Sequence, residues 1–306
     1  GREGGDILLG AETIQVTGNS QIALFAGTGS RAGDININTT DILIQNSSSL
    51  NSSSKFQGAT AGSIAINATG RFGIESGSTL LAESDNAGIG GSVSVTAGNI
   101  LIQDGATIDV QARGAGSADT VDLKALTSLT MRNGANINAS SGAGGNGGTV
   151  LLRAPTVTLD DVDIIGEANG LGDGGDILID GSVVSIINGS TISVSSVSTA
   201  VDGGDAGLVN IKADAVNISD TKLLLATRGG GVGGTLEVFA TDINIDDTVI
   251  AAEAEGLGSG GDTTLRGDTI DLTNIQINAS IKGEGQGGDI KLEGGTITLV
   301  NPDINI

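Results

Sequence analysis

The sequence predicts an all-β fold, a parallel β-helix solenoid of about eleven three-sided coils of 27–29 residues, and three observations predict it. The first is a motif of two small residues, a polar residue and alternating aliphatics. It recurs along the chain, as in Gly4-Gly5-Asp6-Ile7-Leu8-Leu9, Gly90-Gly91-Ser92-Val93-Ser94-Val95 and Gly287-Gly288-Asp289-Ile290-Lys291-Leu292. Its second small position falls at Gly5, Gly33, Gly62, Gly91, Asp119, Gly148, Gly175, Gly207, Gly234, Gly261 and Gly288, at spacings of 27 to 29 residues with one of 32. Self-similarity at such a period marks units that bury their apolar face only by stacking on neighbours. The second observation is that apolar residues within a unit alternate at period two and nowhere keep helical spacing. The third is composition: 52 glycines, two prolines, four phenylalanines and no tryptophan, tyrosine, histidine or cysteine, as suits a narrow interior filled by Ile, Val, Leu and Ala.

Each coil reads as three short strands in order. In the fourth unit the inward pairs are Val93/Val95, Ile100/Ile102 and Ile108/Val110, and in the seventh Ile177/Ile179, Val184/Ile186 and Ile192/Val194. The links between them are too short for a crossover helix, so successive coils must pair strand upon strand. Between the second and third strands the chain takes six residues in units one to five and seven, through Gly18-Asn19, Asn46-Ser47, Ser76-Gly77, Asp104-Gly105, Asn133-Gly134 and Asn188-Gly189. It takes five in the other units, through Asp160-Asp161, Ser219-Asp220, Asp246-Asp247, Thr273-Asn274 and Asn301-Pro302. Gly, Asn and Asp tolerate the left-handed backbone of a sharp corner. One deleted corner residue therefore explains the 27-residue units, and the 32-residue unit carries its surplus in the loop Ser195 to Gly207. Phe72 falls in an inward slot, whereas Phe25, Phe56 and Phe239 fall beside corners. The unbroken repeat makes residues 1–306 a single body, and at about 4.8 Å per coil eleven coils span roughly 50 Å.

Charge and composition exclude several functions. Thirty-six acidic against 14 basic residues give a net charge of −22, the wrong sign for binding nucleic acid. Without His or Cys there is no Ser-His-Asp or Cys-His nucleophile system and none of the usual zinc ligand sets. The glycine-rich string Gly142 to Gly148 sits in a corner with no following helix, so it is no phosphate cradle. Adjacent acids at Asp160-Asp161 and Asp246-Asp247 point in different directions from solvated corners, which gives no desolvation to shift a pKa. No catalytic, cofactor-binding or metal residue is therefore assigned, and the chain reads as not an enzyme. Gly170-Leu171-Gly172-Asp173-Gly174-Gly175-Asp176 has a passing likeness to calcium-binding β-roll repeats, but the nine-residue period is missing. The residue after the small pair is Asp at 6, 34, 176, 262 and 289 and Ser, Thr or Leu elsewhere, which predicts a hydrogen-bonded structural ladder in place of a metal ladder. The outward second-strand positions, from Gln15 and Leu43 to Asp271 and Thr298, form no threonine rank of the kind ice binding requires. No apolar run approaches 18 residues, so no membrane insertion is predicted.

Some outward positions are apolar: Leu8, Leu151 and Leu178 on the first strand, Leu81, Ile165 and Leu224 on the third. Scattered surface aliphatics are normal. Leu151 and Leu178 belong to successive coils and are the best candidates for a lateral contact with another copy or another part of a longer chain.

The units, Gly-Gly-Asp-Ile-x-Ile followed by Ile-x-Ile, Asn-Gly-Ser or Asp-Gly-Ala and then Ile-x-Val, resemble the repeats of filamentous-haemagglutinin-like exoproteins of the two-partner secretion type. The stretch Ile186-Ile187-Asn188-Gly189-Ser190-Thr191-Ile192-Ser193-Val194 is especially similar. The resemblance covers essentially all 306 residues, through degenerate motifs that specify fold better than task. It implies a right-handed parallel β-helix, export of a parent chain through an outer-membrane partner barrel, and an extracellular or cell-surface fibre serving as an adhesin or in matrix building. The Asn-Pro-x-Gly-type motifs of that family's secretion domain have no match, and Asn301-Pro302-Asp303 is not one. The partners expected are other copies or segments, stacked end to end or side by side, and host or matrix glycans. A carbohydrate-binding or carbohydrate-active β-helix is the alternative reading, and a self-polymerising filament subunit a third. The ends of the chain break the pattern without polar caps, which reads as a segment of a longer protein or a unit that stacks.

Overall fold

The computed structural model describes residues 4–306, and among them every regular element is a β-strand. The strands form one continuous parallel array in which each coil pairs with the coil before it and the coil after it. Three ranks run the length of the molecule. The first passes through Leu8, Asn36, Ala65, Ser94, Asp122, Leu151, Leu178, Asn210, Glu237, Thr264 and Lys291. The second holds every predicted outward position from Gln15 and Leu43 to Asp271 and Thr298. Inward, Ile100, Ile102, Ile108, Val184, Ile186 and Phe72 lie at most 1 % exposed in a single core that runs from Val16 to Ile277. The solenoid and its register are therefore those the repeat predicts.

The second corner behaves as its residues require. Coils with the longer corner place two consecutive residues in the left-handed region, such as Asn188 and Gly189 at φ 57° and 81°. Coils with the shorter corner place one, such as Asp247 at φ 45° or Asn274 at φ 50°. The length difference is thus one left-handed residue, absorbed locally, and pairing resumes in register beyond it.

Two features depart from three separate strands per coil. In coils one to five, ten and eleven the first and second strands run together, as in Ile7–Val16, Ile64–Ile74 and Thr263–Thr273, and Val121–Asn138 crosses both corners. In coils two to five alternation continues through the first corner with a small residue turned inward, and Thr39, Ala68, Ala97 and Ala125 are buried there. Coils three and five carry one extra residue at this corner, seen as register shifts beside Ala68 and Ala97. The same device extends the third strand. Ser54, Ser84, Ala112, Ser141, Ala168, Ser196, Thr227 and Ala254 are fully buried and bridge coil to coil in parallel, giving coils two to ten a short fourth contact.

Beyond that bridge the chain folds into a glycine strip. A Cβ on Gly116, Gly145, Gly172, Gly204, Gly231 or Gly258 would collide with the carbonyl oxygen of the glycine one coil below, so the strip can stack only without side chains.

Candidate functional site

The polar residue after the small pair is spent on the fold. The Asp6 carboxylate accepts a bond from the Asp34 amide at 2.8 Å, Asp34 from the Ser63 amide at 2.7 Å, Asp176 from Leu208 at 3.2 Å and Asp262 from Asp289 at 2.8 Å. A second ladder rises along the glycine strip, where Asn146 accepts from Asp173, Asp173 from Asp205 and Asp205 from Val232. These are amide bonds between adjacent coils, the arrangement that Asp, Asn and Ser side chains share. Burial alone would raise the Asp34 pKa, but the Arg31 guanidinium and the Ser63 amide hold it below the ordinary carboxylate value. Among the described residues no group of three or more acids, histidines or cysteines is placed to hold a metal ion. Of the corner acids, the Asp160 carboxylate accepts from the Asn188 amide group at 2.7 Å and Asp161 and Asp247 supply the left-handed turn, while a buried Asp246 carboxylate oxygen has no hydrogen-bond partner among the described residues.

The six apolar outward positions do not form one patch. Leu151 and Leu178 are register partners in adjacent coils, as expected, and both are half-buried. They are bounded by Asp122, which Arg153 pairs at 2.6 Å, and by Asn210. Leu8, 74 % exposed, stands six coils from Leu178 next to Asn36. On the third strand the rank reads Asn51, Leu81, Asp109, Asn138, Ile165, Ser193, Leu224, Ala251, so Leu81, Ile165 and Leu224 are separated by polar residues. Leu224 lines a groove of about 210 Å³ with Glu167, Arg228, Glu253 and Glu255.

The third rank holds a strongly perturbed carboxyl, Asp109. Asn51, Asp109 and Asn138 each accept a bond from the backbone amide two residues on, at Ser53, Gln111 and Ser140, and so start the third corner. Sequence reading missed this role, although Asn or Asp directly after an inward aliphatic, at the end of the third strand, carries the signal. Capping buries the side chain, and Asp109 is only 8 % exposed. Its pKa is pushed up to about 6, first by desolvation, then by the neighbouring Glu83 and Asp85 charges, against the Gln111 amide and Arg113. Arg113 ties the cluster together through ion pairs to Glu83, to Asp85 at 2.6 Å and to Asp109 at 3.7 Å. Burial alone would depress the guanidinium, but the bonds it donates to Glu83 and Asp85 outweigh that and raise it. With its carboxylates shared around one guanidinium, the cluster is an ion-pair knot that braces two adjacent coils. No family model, curated protein or solved structure matches the chain.

Proposed function

We propose that the chain is a rigid structural and adhesive segment of a secreted or surface-attached bacterial fibre, of the filamentous-haemagglutinin-like kind that its repeats resemble. The observation that carries the reading is that three strand ranks pair coil upon coil from the first coil to the last, with side-chain ladders joining adjacent coils along parts of the rod. Each coil adds the same step along one axis, so the molecule is a rod whose sides present ranks of side chains at a fixed repeat of about 4.8 Å. A rod of this kind carries load along its length through hydrogen bonds shared by every coil, and it offers attachment points at regular spacing. Its acidic and amide side chains are bonded chiefly to the next coil, which favours scaffolding over turnover.

The test is attachment. Beads coated with the chain through one terminus, drawn across surfaces bearing bacterial envelope or matrix polysaccharide, are expected to adhere and to resist detachment more than beads coated with an unrelated acidic protein. Equal detachment of both kinds of bead sinks the adhesive part of the proposal.

A further inference from the structure

An open recess of about 650 Å³ lies on the side of the rod at the first corner of the later coils. Its wall is one register rank: Phe239, Arg266 and Glu293 occupy the same position in three successive coils. Its floor is Gly267 and Gly294, also stacked, and Asp268 stands at its edge. Phe239 is half-buried and is the one phenylalanine on the outward side of a strand, since Phe72 points inward and Phe25 and Phe56 lie outside strands. The chain has no tryptophan or tyrosine.

The polar groups here are only partly engaged: Arg266 and Glu293 form a long ion pair, and Lys291 holds one oxygen of Glu293. The Arg266 guanidinium comes no nearer than 3.7 Å to Glu293, beyond hydrogen-bond reach, and donates no hydrogen bond among the described residues. The Asp268 carboxylate accepts none either, although its backbone amide is bonded to the Thr241 carbonyl at 2.8 Å. Glu293 has one oxygen engaged by Lys291 at 2.8 Å. This contrasts with the ladder carboxylates, which are bonded to backbone amides.

We infer that the cavity bounded by Phe239, Arg266, Asp268 and Glu293 is a seat for a neutral hexopyranose unit of a polysaccharide. A pyranose ring has an apolar C–H face that packs on an aromatic ring, and vicinal hydroxyls that donate to a carboxylate while accepting from a guanidinium. The glycine floor leaves room for the ring to lie flat. The two carboxylates are offset by the Arg266 guanidinium and the Lys291 ammonium, so the seat itself is close to neutral, and the net charge of −22 on the whole protein disfavours polyanionic chains, whereas a neutral sugar meets no opposing field. The inference deepens the adhesive reading, on which its biological meaning rests, by naming the partner. One such seat binds weakly, and a fibre presenting many copies gains avidity.

The molecule supplies its own control. Four coils earlier the same register holds Lys124, Arg153 and Asp180 around a second dent, with a lysine in place of the aromatic ring and Arg153 already paired to Asp122. Four phenylalanines in all make ring-labelled NMR tractable. Titrating the ring-labelled chain with cellohexaose, laminarihexaose and maltohexaose up to about 10 mM should shift the Phe239 resonances with at least one of them and leave Phe72 unmoved. Phe239→Ala and Asp268→Asn should each weaken the binding seen by saturation transfer at least about tenfold. Phe239→Tyr should preserve it, and Arg153→Ala should have no effect. No Phe239 shift with any of the three sugars overturns the inference, as does a shift with a galacturonan or a lysine-rich peptide alone, or binding that survives Phe239→Ala. Because the titration needs no surface, its failure leaves the bead result standing, and failure of the beads leaves the seat standing.

Discussion

At the scale of single residues the chain places polar side chains by hydrogen-bond need, and Asp109 shows the cost. The carboxylate caps the third corner while almost fully buried, so the folded state prefers it protonated and holds its pKa near 6. A group whose folded pKa lies above its unfolded value stabilises the fold at low pH, and that contribution is lost as pH rises through the folded pKa. Stability should therefore fall between pH 4 and 6, by on the order of 2–3 kcal/mol for this group. Asparagine fills the same place in coils two and five, as Asn51 and Asn138, and makes the same cap without a charge. Asp109→Asn is expected to raise the melting temperature at pH 7.5 and to flatten the slope between pH 4 and 6. An unchanged slope in the variant would assign it to another group.

At the scale of elements the glycine strip is the least forgiving part of each coil. Gly116 faces the Gly88 carbonyl so closely that a methyl group must displace backbone, whereas a methyl group on Gly144 meets nothing within 4 Å. Gly116→Ala should cost about 1–3 kcal/mol, within the range of overpacking a tight contact. Gly144→Ala should be neutral or slightly stabilising, because it reduces the freedom of the unfolded chain. Chemical denaturation of the two variants side by side checks the pair, and equal loss in both would refute the stacking. The strands, both corner types and the outward ranks were legible in the sequence because period-two alternation and Asn-Gly or Asp-Asp turns are local signals. The strip and the fourth bridge were not, because Ser84, Ala112 and Ser141 are too small to register as a hydrophobic face. Their inward placement depends on a neighbouring coil that the sequence does not mark. The Leu151–Leu178 pair was legible from the period alone, while the Asp109 knot and the Phe239 cavity join residues of adjacent coils, such as Glu83 with Arg113 and Phe239 with Arg266, that only stacking brings together.

At the scale of the whole molecule contacts are strictly between neighbours. The second strand Asp242–Asp246 pairs with Ala215–Ser219 below and with Thr263–Thr273 above, and with nothing more distant. Stability in such arrays is a sum of coil and interface terms. Removing residues 234–260 should therefore join Gly233 to Gly261 and lay the tenth coil directly on the eighth, since both offer inward aliphatics at matching positions, such as Ile211 and Leu265. The shortened chain is expected to keep its β-sheet circular dichroism and a cooperative melt, with a modest loss of stability. A collapse of the fold would show that coil nine makes contacts of a kind no other coil makes.

The one-residue difference between the two corner types has a further consequence. Because Asp247 does alone what Asn188 and Gly189 do together, the corner acts as an expansion joint: a residue gained or lost there is absorbed before the third strand begins. The rod is in that sense a ruler graduated in coils. Its graduations tolerate error at the joint, while the number of coils alone sets its reach.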